Sequence, residues 1–126
     1  MLKSYLEIER NISEKDINLL TEYTELMVSA QEKKDYINTI YYATEILKHS
    51  YVYAYRSKFF AAVHFYRAGA YQEINYVSQE MREYYYHNAK SDYAFCLAAA
   101  KMMGDEEMLE TASNGLKLLQ QRFANN

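Results

Sequence analysis

The sequence contains no proline, only three glycines and a single cysteine among its 126 residues. Folds made of strands and tight turns depend on glycine and proline, so their scarcity favours long helices. Cys96 has no second cysteine to pair with, which excludes an internal disulfide and fits a reducing compartment. We therefore expect an all-α protein of the cytoplasm.

Excess positive charge and long apolar runs are also lacking. The chain carries 14 basic and 17 acidic residues, and this formal net charge of −3 does not suit a protein that binds phosphate backbones. No stretch approaches the ~18 consecutive apolar residues of a membrane span, and the amino terminus does not resemble a secretory signal. We expect one domain over residues 1–126, with neither nucleic acid nor membrane as a partner.

Residue patterns of catalytic and metal sites are missing as well. His49, His64 and His87 lack metal-ligand spacing, and the isolated glycines form no phosphate-binding loop. His64 lies among apolar residues, where a packed histidine with a hydrogen-bond partner is expected. Nothing near Cys96 in sequence would lower the pKa of its thiol, so we expect it to be buried and inert. The sequence predicts no enzyme activity, no cofactor and no metal.

An internal repeat is the main feature that the sequence does contain. The segments at Lys34, Gly69 and Gly104 align, and successive segments are 35 positions apart. Each is predicted to form the bend of a helical hairpin, because glycine accepts left-handed backbone angles without steric cost. Packing positions repeat in the same register; seven positions before the bends stand Met27, Ala62 and Leu97. This spacing is typical of tetratricopeptide units of ~34 residues.

The predicted architecture is an α-solenoid of three tetratricopeptide-like helical hairpins with a short leading helix. The expected helices cover residues 2–10, 14–32, 35–49, 52–68, 71–87, 91–103 and 105–123. An ordinary helical bundle with accidental self-similarity stays open as the alternative.

The first helix of each hairpin in such a solenoid faces a concave surface, which we predict to bind a partner protein. The predicted partner-binding residues are Thr24, Val28, Arg56, Phe59, Val63, Tyr66, Arg67, Ala94, Ala98, Lys101 and Met102. The cationic members, Arg56, Arg67 and Lys101, favour a segment with apolar anchors and acidic flanks. A closed core, in which these side chains pack against a terminal helix, is the alternative.

Tyrosine is unusually frequent, with 15 residues in the chain. The run Tyr84, Tyr85 and Tyr86 cannot be wholly buried in a helix, because consecutive residues point about 100° apart. Two interpretations stay open. The rings form either a wet boundary between repeats or a contact surface for a homodimer or heterodimer.

Two stretches of the chain resemble a known family. The segment Ser57-Lys58-Phe59-Phe60, followed by Gly69-Ala70-Tyr71, resembles the second repeat of the translocator chaperones of bacterial type III secretion. Residues 94–97 and 104–109 are similar to their third repeat. The resemblance implies a concave face that captures an extended segment of an exported protein and keeps it soluble. It places client contacts at Arg56, Phe59, Val63, Tyr66 and Ala98.

These observations lead to two functional hypotheses. The first is a protein-binding adaptor or chaperone that holds a segment of a partner protein in the concave groove, with type III secretion as the setting that the resemblance implies. The second is a scaffold or regulatory subunit of a stable protein complex.

Overall fold

The computed structural model describes Tyr5, residues 14–50 and residues 54–125. These parts of the chain contain α-helices and a short 3-10 turn but no strand, which confirms the all-α prediction for them. The elements are α1 (Glu14–Glu32), α2 (Tyr36–Leu47), the 3-10 turn (Ala54–Arg56), α3 (Lys58–Glu73), α4 (Gln79–Met103) and α5 (Glu106–Asn125). The predicted leading helix lies outside the described residues except for Tyr5, which is helical.

The bends after α1 and α4 are built alike, although they lie 70 positions apart in the sequence. Lys34 and Gly104 both adopt the left-handed conformation, with φ of 58° and 66°. The residue that follows each, Asp35 or Asp105, donates its amide proton to the carbonyl five residues earlier at 2.9 Å. Its carboxylate then caps the next helix by accepting the amide proton three residues onward, at 3.2 Å for Asp35 and 3.0 Å for Asp105. Two of the three predicted bends are therefore confirmed.

The third predicted bend, at Gly69, is wrong, because this residue lies inside α3. A single glycine costs a helix only about 1 kcal/mol relative to alanine, and the alanines on both sides of Gly69 favour the helix. The chain turns later, at residues 74–78, where Ile74 is extended with φ −67° and ψ 141°. Ser78 then starts α4 as its N-cap, accepting the amide proton of Met81 at 3.1 Å.

The predicted helix boundary near residues 88–90 is also wrong. Helix α4 continues through this region, and Ser91, at which the next helix was predicted to begin, is an exposed residue of its interior. The sequence Asn88-Ala89-Lys90 contains no glycine or proline, so no signal ends the helix there. One helix of 25 residues thus replaces the two helices that were expected.

Each helix packs mainly on its neighbours in sequence. Among the described helices, contacts join α1 to α2, α2 to α3, α3 to α4 and α4 to α5, with a small additional contact between α3 and α5; the 3-10 turn packs mainly on α4. One apolar cluster, around Phe59 and Phe60, unites α1, α2 and α3. A second, around Tyr93 and Leu119, unites α3, α4 and α5. Full burial of each such side chain contributes ~1.5–3 kcal/mol to stability.

Candidate functional site

A groove with a volume of about 770 Å³ runs over α3. Six residues of α3 line it, and their spacing of i, i+3, i+4, i+7, i+8 and i+11 places them on one face of the helix. We call this face the floor; it consists of Ala62, Phe65, Tyr66, Gly69, Ala70 and Glu73. The remaining lining residues come from Tyr5, from the bend between α1 and α2, and from the start of α5: Gln31, Glu32, Lys34, Tyr36, Asp105, Glu107, Met108 and Thr111.

The groove is open because its floor is made of small residues. Ala62, Gly69 and Ala70 alternate along α3 with the larger Phe65 and Tyr66. A Cβ atom placed on Gly69 would meet no atom of the described residues within 4 Å, so they leave free space directly above this residue. The glycine that was expected to form a bend instead keeps the floor of the groove low.

The rim of the groove is acidic. The described lining residues beside the floor carry three carboxylates and one ammonium group, those of Glu32, Asp105, Glu107 and Lys34, and the floor adds the carboxylate of Glu73. Glu73 is paired with Arg122, and Asp105 lies 3.9 Å from the ammonium group of Lys58. Glu32 and Glu107 have no ion-pair partner within the described part of the chain. Among the described lining residues the expected cationic surface is therefore absent, and acidic groups outnumber basic ones.

Of the predicted partner-binding residues, Tyr66 is the one that lines the groove. Thr24, Phe59 and Val63 are buried in the core, with at most 2% of each residue exposed. The reason is rotational, since Val63 follows the floor residue Ala62 and points about 100° away from it. The side chains of Phe59 and Val63 therefore hold the first apolar cluster together instead of facing solvent.

The other predicted residues lie elsewhere on the molecule. Val28 is half-buried against the first apolar cluster, and Arg56 is exposed at the 3-10 turn. Four more belong to α4, which does not contribute to the groove; they are Ala94, Ala98, Lys101 and Met102. The prediction assigned them to the first helix of a third hairpin, but the described lining residues that follow α3 in the sequence come from the start of α5 and the residue before it.

Arg67, predicted to contact a partner, belongs to an interior polar cluster. Its guanidinium group donates to both carboxylate oxygens of Asp92, each at 2.8 Å, and to the hydroxyl of Thr44 at 3.2 Å. Burial opposes the charge of Arg67, but the hydrogen bonds and negative charge of Asp92 outweigh it and leave the pKa of the guanidinium raised. Arg67 thus ties α3 to α2 and α4.

His64 joins the same cluster. Its Nδ1 donates to the carboxylate of Asp92 at 2.8 Å, and its ring stacks on Phe95 with centroids 3.8 Å apart. The prediction that this histidine is a packed residue with a hydrogen-bond partner is confirmed. Its partner Asp92 was not predicted, because a lone aspartate in a helical stretch gives no sign of burial.

The arrangement offers little for covalent chemistry. The thiol of Cys96 is buried and donates to the carbonyl of Ala61 at 3.2 Å, and burial raises its pKa to about 12. The thiolate form, which is the reactive one, is therefore disfavoured near neutral pH. Over the residues that the structure describes, no three His, Cys, Asp or Glu side chains are grouped as a metal site would need. None of the described helices is both long and apolar enough to span a membrane.

Sequence reasoning missed most of the groove. Small and aromatic residues at helical spacing from Ala62 to Ala70 could have indicated the floor of the groove. The predicted bend at Gly69 divides these residues between two helices and so hides their common face. Comparisons with protein-family models, curated proteins and solved structures found no match to this chain. The geometry of the groove therefore carries the functional argument.

Proposed function

We propose that this chain is a protein-binding adaptor or chaperone that holds a segment of a partner protein in the groove over α3. The observation that carries the proposal is the open groove of about 770 Å³, with its floor of alanine, glycine and aromatic residues and its charged rim. Concave sites that combine apolar lining with a few polar groups are where proteins bind other molecules. Each apolar anchor that a partner buries there would contribute ~1.5–3 kcal/mol.

The packing order of the helices supports the same proposal. Helices that contact mainly their neighbours, together with two bends of identical construction, are features of a short α-solenoid. The proposed solenoid has an irregular middle unit, because α3 runs past Gly69. In this arrangement α3 forms the centre of the concave side and the bend after α1 and the start of α5 form its edges.

The resemblance to type III secretion chaperones supports a more specific form of the proposal. In that form the partner is an exported protein that is held soluble in the cytoplasm before export, and this chain does no chemistry on it. Coexpression in a neutral host tests this form. The partner should be soluble with this chain and insoluble without it.

A groove-filling substitution tests the general proposal. Gly69→Leu places a large side chain in the free space above the floor, whereas Gly69→Ala adds only a methyl group there. Both residues favour a helix more than glycine does, so both variants should fold. We expect proteins that copurify with the parent chain from its native host to be lost with Gly69→Leu and kept with Gly69→Ala.

If the Gly69→Leu variant retains every partner, the groove is not the site at which partners bind. Circular dichroism and thermal unfolding establish that both variants keep the parent fold. Quantitative mass spectrometry of the copurified proteins provides the comparison.

The second candidate, a scaffold subunit of a stable complex, is favoured by exposed apolar side chains outside the groove. On α2, Ile37 is 70% exposed and Tyr41 is 53% exposed. Such residues suit a permanent protein contact. Substituting both by Lys separates the two candidates, because a scaffold would lose its complex while a groove-binding chaperone would keep its client.

A further inference from the structure

The charge of the rim and the helical walls of the groove indicate what kind of segment it accepts. We propose that the partner segment is an amphipathic helix with an apolar stripe flanked by lysine or arginine side chains. This inference rests on the proposed function, since it names the occupant of the same groove.

The sign of the flanking charge follows from the carboxylates at the rim. Glu32 at the end of α1 and Glu107 in the first turn of α5 have no ion-pair partner in the described ranges, and both line the groove. Lys34 is the basic member of the lining. A partner with cationic flanks gains from this potential, whereas like charge placed there costs affinity.

The apolar stripe follows from the floor. Ala62, Gly69 and Ala70 leave space, while Phe65 and the half-buried Met108 provide surfaces against which aliphatic side chains pack. A helix presents such side chains at i, i+3, i+4 and i+7, and this spacing recurs among the floor residues along α3.

The helical form of the partner follows from backbone hydrogen bonding. The described lining includes no strand edge, and the backbone groups of the floor are bonded within α3. An extended segment would bury its own N–H and C=O groups against this floor without partners, whereas a helix satisfies them internally.

A synthetic peptide of defined chemistry tests the inference. The peptide has about 15 residues, with leucine at helical spacing, lysine at the flanks and one tryptophan on the apolar stripe. Because this protein contains no tryptophan, the fluorescence of the peptide reports binding directly. A second peptide carries glutamate in place of lysine, and a third carries two central prolines in the lysine version.

Charge-reversal variants of the protein provide the matched control. Glu32→Lys with Glu107→Lys alters the rim. Glu22→Lys with Glu80→Lys makes the same change of net charge outside the groove. Glu80 and Glu107 are both the second residue of their helices, so the two pairs alter a helix N-terminus equally.

We expect the lysine peptide to bind at least about tenfold more tightly than the glutamate peptide, and to gain helical circular dichroism on binding. The rim variant should weaken its binding about tenfold or more, and the control variant less than about threefold. Equal loss in both variants would assign the effect to net charge and overturn the inference. So would tighter binding of the glutamate peptide, unchanged binding of the proline peptide, or no binding of the lysine peptide.

These outcomes are separable from failure of the proposed function. If native partners depend on the Gly69 space but the lysine peptide does not bind, the groove binds a segment of another chemistry and only this inference fails. If native partners bind the Gly69→Leu variant as they bind the parent chain, the proposed function itself fails.

Discussion

Asp92 on α4 is the residue at which the polar contacts of the interior meet. It is only 2% exposed, and its carboxylate accepts hydrogen bonds from Arg67 and His64. A carboxylate this deeply buried is tolerated because an opposite charge and hydrogen bonds compensate its desolvation. It therefore fixes the position of α3 on α4, and Thr44 extends the network to α2 through Arg67.

Neutralising this carboxylate should destabilise the protein strongly. Asp92→Asn keeps the size of the side chain but leaves the partly buried guanidinium of Arg67 without a counterion. We expect a loss of about 3–5 kcal/mol in the free energy of unfolding, measured by urea denaturation. Removing both charges, with Asp92→Asn and Arg67→Met, should recover part of that loss. A loss below about 1 kcal/mol in the single variant would contradict this account.

Two helical glycines should respond to the same substitution with opposite signs. Gly69→Ala meets free space and should stabilise α3 by about 0.5–1 kcal/mol. Gly115→Ala would bring its Cβ to 2.5 Å from the ring of Tyr93, which is 3% exposed and donates its hydroxyl proton to Gln72 at 2.7 Å. This overpacking should cost about 1–3 kcal/mol, more than the gain in helix propensity.

Thermal unfolding of the two alanine variants measures both effects under one protocol. Destabilisation by Gly69→Ala would show that the floor of the groove is not open. A neutral Gly115→Ala would show that the Tyr93 ring can move aside.

At the scale of elements, the twin bends allow a direct comparison between lysine and glycine. Lys34 holds a left-handed backbone that costs a residue with a side chain about 1 kcal/mol, while Gly104 holds the same conformation freely. Lys34→Gly should therefore stabilise the α1–α2 hairpin by about 1 kcal/mol, and Gly104→Lys should destabilise the α4–α5 hairpin by a similar amount. Urea denaturation measures the free energy of unfolding of both variants. A change of the same sign in both would contradict the equivalence of the two bends.

The sequence was informative where local chemistry decides the structure. The end of α1 at Glu32 matches the prediction, and the bends at Lys34 and Gly104 are where the 35-residue spacing placed them. The predicted bend at Gly69 is wrong, because the neighbouring alanines favour a helix and a single glycine does not end it. That one error divided the face of α3 that forms the floor of the groove.

The side-chain environment was harder to predict than the helices. Rotation of α3 by about one residue decides whether Val63 or Ala62 faces the groove, and periodicity leaves that choice open. The burial of Asp92 depends on Arg67, which is 25 positions away, so no local pattern reveals it. The rotation of α3 and the burial of Asp92 both depend on packing between helices and not on helix propensity.

At the scale of the whole molecule, two buried acids should make stability depend on alkaline pH. Burial raises the pKa of the Cys96 thiol from 9.0 to about 12 and that of the Tyr93 hydroxyl from 10.0 to about 12. The native state then holds protons that the unfolded chain releases. These two groups should therefore leave the free energy of unfolding unchanged below pH 9.0 and lower it progressively as the pH rises towards 12.

Urea denaturation across this alkaline range measures the dependence. Each proton retained by the native state gives a slope of about −1.4 kcal/mol per pH unit. Cys96→Ala and Tyr93→Phe should each reduce the slope, whatever they do to stability at neutral pH. A slope that persists unchanged in the double variant would assign the alkaline sensitivity to other groups.

The neighbour-to-neighbour packing of the helices also has a kinetic consequence. Contacts that join consecutive helices close only short loops, so the described helices have the low contact order of fast-folding helical proteins. Folding times on the order of microseconds to milliseconds follow for such topologies. Folding of such a chain can begin at any one hairpin and spread from there. A nascent chain can begin to fold while its last helix is still being synthesised.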